Sequence, residues 1–179
     1  MYSRIILSVL TAVFWAVKLD AVEVKLPFDA ESLAAQAGRK CPGDIKVSGS
    51  NDVLTISISK PGKGDYEGSY SINARKGAGH SVGITIGVNT EKLTAANGKN
   101  AKNLGRIAFG NVSHQLVGGK SGWQDCSFKN VKIPGNGMLK LRITLRNAGG
   151  EVSFRNPRVN VNIPQRVIDK RKKNKKNKK

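Results

Sequence analysis

Lys140, Arg142 and Arg146 recur at even spacing along GMLKLRITLRN, and Arg155 and Arg158 follow shortly after. In an extended chain, side chains two residues apart share a face and stand about 7 Å from one another. Arginine presents a planar fork of donors that suits carboxylate and sulfate groups. Such a row therefore either binds an anion or forms a solvated outer face, and the spacing does not separate the two. Outside the N-terminal segment the chain has one tryptophan, Trp123, and two tyrosines, Tyr66 and Tyr70. Their rings are the candidates for stacking on a sugar, although for Trp123 packing at a sheet edge is the stronger expectation.

Catalytic patterns are sparse. A glycosidase needs two carboxylates flanking the scissile bond. Asp65 and Glu67 stand two apart in the glycine-rich stretch KGDYEGSY, where solvation is the expected role. No nucleophile elbow, phosphate loop or zinc spacing is present, and His80 and His114 are isolated. No enzyme activity, cofactor or metal is expected.

Two further residue types carry chemistry. Cys41 and Cys126 are the two cysteines. In an oxidising compartment they pair by default, closing a loop of about 85 residues and stabilising by about 4–5 kcal/mol. Asn111, in the triplet NVS, is an N-glycosylation acceptor in a eukaryotic host.

The compartment follows from the ends of the chain. Arg4, the apolar run Ile5–Val17 and the small residue Ala21 have the layout of a cleaved secretory signal over residues 1–21. A signal anchor is the alternative, because Leu19 is larger than the usual residue at its place. No other segment approaches the roughly twenty apolar residues of a membrane helix, so no membrane partner is expected. At the other end Lys170, Arg171, Lys172, Lys173, Lys175, Lys176, Lys178 and Lys179 have no apolar residue among them. Residues 166–179 read as a disordered polycationic tail that attracts polyanions through screened, sequence-independent forces. Export argues against nucleic acid as the partner. Of the formal charge of +19, eight charges lie in the tail and one net charge in the leader. The remaining +10 belongs to residues 22–169, so the body is basic in its own right.

The elements that must position these residues are written in period two. Leu139, Leu141, Ile143 and Leu145 alternate with Lys140, Arg142, Thr144 and Arg146. Leu54, Ile56 and Ile58 alternate likewise, as do Val82, Ile84, Ile86 and Val88, and Tyr70, Ile72 and Ala74. Val152 and Phe154 share one frame, and Val159, Val161 and Ile163 resume shifted by one, which predicts a bulge or bend at Pro157. Glycine-rich breaks separate the runs, and only residues 28–38 look helical. Several short strands between turn signals predict one all-β domain over residues 22–165, an antiparallel sandwich or jelly roll.

The stretch GWQDCSFKNVKIPGNGMLKLRITLRNAGGEVSFRNPRVNV resembles the C-terminal half of the galactose-binding-like jelly rolls that serve as carbohydrate-binding modules beside secreted glycosidases. The matching parts are Trp123, Phe128–Pro134, Leu139–Leu145, Gly149–Gly150 and Phe154–Val159. The resemblance implies a β-sandwich and a glycan ligand. Many members hold calcium with an acidic residue on the last strand. Here Asn156 stands there between Arg155 and Arg158, so calcium is not expected.

The reading is a secreted, non-catalytic binding protein for an extracellular glycan or other polyanion, such as an acidic polysaccharide, a matrix or a mineral surface. Tyr66, Tyr70, Trp123, Lys140, Arg142, Arg146, Arg155 and Arg158 are its candidate ligand residues, joined by the tail. The alternatives are a self-associating extracellular matrix or biomineral protein and a small glycan-active enzyme.

Overall fold

Leu139, Leu141, Ile143 and Leu145 are buried, while Lys140 and Arg142 between them are exposed. The alternation becomes one strand of an antiparallel sheet with its aliphatic side against a core. The computed structural model describes residues 20–38, 44–60, 65–96 and 102–163, with 20–24, 38, 76 and 161–163 described by their backbone only. Ala21–Asn162 form a compact unit. The other unit, Met1–Asp20 with Ile163–Lys179, lies almost wholly outside the described residues. The expected signal segment (but for Asp20 and Ala21), the Lys-rich tail and Cys41 therefore lie outside them too.

Among the described residues the strands are β1 (Asp20–Lys25), β2 (Ile45–Ser50), β3 (Val53–Ile58), β4 (Tyr66–Asn73), β5 (Ser81–Asn89), β6 (Leu93–Ala95), β7 (Gly105–Phe109), β8 (Val112–Leu116), β9 (Trp123–Lys132), β10 (Met138–Leu145) and β11 (Ala148–Ile163). One α-helix, α1 (Ala30–Gly38), falls where the helical pattern was expected. One sheet runs β2-β3-β11-β5-β9, with β1 and β6 also pairing to β11; the second runs β4-β10-β7-β8. Buried side chains of both sheets form one cluster, so the fold is an antiparallel all-β sandwich. Phe109 of β7 meets Phe128 of β9 edge-on, with centroids 5.0 Å apart, which ties one sheet to the other. His114 of β8 packs edge-on against Phe128 and its Nε2 lies 2.6 Å from the Ser127 carbonyl, so its role is to join the sheets.

Turn chemistry sets the register. Asn51 and Asp52 both hold positive φ between the paired Ser50 and Val53, a mirror-image two-residue turn that Asn and Asp tolerate. In β11 the register against β5 shifts between Arg155 and Arg158, at the Asn156–Pro157 step, and Asn156 sits at φ 46. The expected irregularity at Pro157 is thus a bulge. Helix α1 packs on β2, where Gly49 leaves room for the helix backbone: a Cβ there would lie 2.0 Å from the Ala30 carbonyl oxygen.

Candidate functional site

The chain passes from β10 to β11 through Asn147, at φ 49, and in doing so changes sheet. The cationic residues expected to form one patch are therefore divided. Lys140 and Arg142 belong to the four-stranded sheet, Arg146 follows directly after its strand β10, and Arg155 and Arg158 belong to the seven-stranded one. The two sheets share a core, so outward side chains on one point away from those on the other.

On the seven-stranded sheet, β5 and β9 pair so that Asn89 faces Trp123, Gly87 faces Asp125 and Thr85 faces Ser127. Arg155 lies opposite Gly87 on the other side of β5. The missing side chain at Gly87 lets Arg155 cross β5: a Cβ there would meet the Arg155 Cγ at 3.1 Å. The guanidinium ends 4.1 Å from the centre of the half-buried Trp123 ring. Beside it, Arg158 donates from Nη2 to Asp125 Oδ2 over 2.8 Å. Thr85 Oγ1 and Ser127 Oγ are 3.2 Å apart, and farther along the face Thr55 Oγ1 and Ser153 Oγ are 2.9 Å apart. An indole, two guanidinium groups, a carboxylate and rows of hydroxyls are the donors, acceptors and stacking surface that a polyhydroxy ligand uses.

The four-stranded sheet carries a different chemistry. Arg142 faces Ser69 on β4 and Ala108 on β7, while Thr144 faces Glu67 and Arg106. Arg106 and Arg142 are diagonal neighbours across the pair, within reach of long side chains. With Arg146 they surround a depression of about 310 Å³ that Ala108 and Thr144 line and Glu67 borders. Arg146 Nε lies 3.8 Å from Asp65 Oδ2. Both side chains are exposed, and an exposed pair of this kind contributes about 0–1 kcal/mol.

The chain is similar to solved family 29 carbohydrate-binding modules. A mutant of such a module is 11% identical, with 78% of this chain and 92% of that one covered and a TM-score of 0.44. A second, complexed with mannohexaose, gives 10% identity, the same coverage and a TM-score of 0.44. A family 29 module from Piromyces equi is 14% identical over 65% of this chain and 75% of that one, with a TM-score of 0.34. No protein-family model and no curated protein matches the sequence.

The remaining expected residues fall as follows. Tyr66 and Tyr70 are 3% and 1% exposed, and their hydroxyls hydrogen-bond to each other inside the core. This corrects their assignment to a sugar groove: residues of β4 alternate, and the even positions face inward. Trp123 stands at the start of the edge strand β9, as expected for packing at a sheet edge, and keeps a half-exposed ring. Cys126 is a free cysteine, and its expected partner Cys41 lies outside the described residues. Cys126 faces Ile86 across the strand pair and packs half-buried against the core, where a mid-strand residue is held by its own ladder. Burial, and then the charge of Asp125, push the Cys126 thiol above its ordinary value. Asn111 is exposed in the two-residue turn between β7 and β8. Among the described residues no group of three or more His, Cys, Asp or Glu could hold a metal ion.

Asp125 and Arg106 were not singled out from the sequence. Asp125 shares the outward frame of Trp123 two residues on, a signal that was present in WQDCS. Arg106 had no such signal, because only its pairing to β10 brings it beside Arg142.

Proposed function

We propose that the chain is an exported, non-catalytic module that binds an extracellular glycan on the Trp123 face of its seven-stranded sheet. One observation carries the reading: Arg155 lies across Gly87 and braces the indole of Trp123 at 4.1 Å, with the Asp125–Arg158 pair beside it. A braced ring stacks on a sugar with little loss of side-chain freedom, and the adjacent ion pair and hydroxyls accept and donate to its substituents. The Lys-rich tail at residues 170–179 would add a salt-screened attraction to acidic partners.

A glycan array read at low and high ionic strength tests this with the full chain and its Trp123→Ala variant. Sugar stacking survives salt, so signals on neutral glycans should persist at high salt in the parent and fall about tenfold in the variant. Neutral-glycan signals of equal strength in both proteins would overturn the reading.

A further inference from the structure

We infer that the four-stranded sheet carries a second site, built on Arg106 and Arg142, for the sulfate or carboxylate groups of an acidic polysaccharide. It lies on the opposite outward face from Trp123 and stands independently of the sugar-stacking reading.

Three observations converge on it. Arg106 of β7 and Arg142 of β10 sit diagonally across an antiparallel pair, and both are exposed. Neither side chain makes a hydrogen bond or ion pair with any described residue, whereas the Arg158 side chain on the other face is held by Asp125. The residues between them are small, Ala108 and Thr144, so the two guanidinium groups rise around a depression of about 310 Å³ rather than a flat strand. Two free forks over a shallow floor match the oxygens of a sulfate or carboxylate, which arginine holds in pairs.

The rim adds selectivity. Among the described residues the Arg146 side chain is tethered only by its long, exposed contact to Asp65, so it can turn toward an incoming anion. Glu67 borders the depression on the β4 side, where it accepts a hydroxyl and repels a second anionic group placed too near. The ligand that fits has charged groups separated by neutral, hydroxylated stretches, which is the pattern of a sulfated or uronic-acid polysaccharide.

The test compares the full chain with variants for binding to immobilised heparin and to its desulfated form at physiological ionic strength. Arg106→Gln with Arg142→Gln should weaken heparin binding about tenfold, because paired charge-assisted bonds are lost. Lys46→Gln with Lys129→Gln removes the same charge from exposed positions elsewhere and should weaken it about twofold, through the general field alone. Arg106→Lys with Arg142→Lys keeps the charge without the forks and should recover less than half of the lost affinity. Equal losses from the two Gln pairs, or full recovery by the Lys pair, would overturn the site in favour of diffuse attraction. Either result leaves the Trp123 reading standing, since that is read on neutral glycans.

Discussion

Arg155 and Trp123, on strands separated by β5, meet because the residue between them is Gly87. The guanidinium carbon lies 4.1 Å from the indole centre, within the range of a cation–π contact. A single glycine thus links a cation on the central strand β11 to a ring on the edge strand β9. The same face sets Arg158 on Asp125, so its two arginines are both positioned by neighbours.

Gly87 is therefore the position at which the ring can be disturbed without touching it. Gly87→Val fills the channel that Arg155 crosses, and loss of the contact should weaken neutral-glycan binding about 2- to 5-fold, the equivalent of about 0.5–1 kcal/mol. Gly83→Ala is the control, since its Cβ would meet Asn160 at an ordinary 3.6 Å. Titration calorimetry with a glycan identified on the array reads both.

Tyr70→Phe separates a core role from a ligand role. It removes one hydroxyl of the buried Tyr66–Tyr70 pair and should cost about 1–3 kcal/mol in urea denaturation. Glycan affinity should stay as in the parent. A protein of full stability that bound glycan poorly would place Tyr70 at the ligand instead.

Gly49→Ala should be among the costliest of single-methyl additions. Its Cβ would fall 2.0 Å from the Ala30 carbonyl oxygen, which is backbone and must move with the start of α1. Overpacking of this kind costs about 1–3 kcal/mol. Gly135→Ala meets nothing within 4 Å and should change stability by less than about 0.5 kcal/mol. Paired urea titrations give the contrast directly.

The thiol of Cys126 has a stated pH dependence. Its pKa is raised in the folded protein by burial and by Asp125, so folding favours the neutral thiol. The associated stability is fully present below the unfolded thiol's pKa and is lost as pH rises through the higher folded value. Urea midpoints should therefore fall on the alkaline side in the parent and fall less in Cys126→Ala. Peptide mass spectrometry should show Cys126 alkylated more slowly in the folded protein than in urea at the same pH.

Much of the scaffold was legible from single runs of residues. The alternation in Leu139–Leu145 and in Val82–Val88 gave their inward faces, and the frame shift around Pro157 located the bulge that the register of β11 shows. The helical segment and the all-β class followed from the same local patterns.

The grouping of the charged residues was decided only by the tertiary structure. Arg142 and Arg155 are close in sequence, yet the turn at Asn147 sends them to different sheets and opposite faces. Arg106 is distant in sequence from Arg142, yet the pairing of β7 with β10 makes them neighbours. Tyr66 and Tyr70 could equally have faced a groove, and the frame of β4 against β10 turned them inward. The physical reason is common to all three. A period of two states that successive side chains point to opposite sides, but it does not say which strand lies alongside or which side is covered. Those depend on pairings between distant segments, and such pairings exist only once the chain has folded.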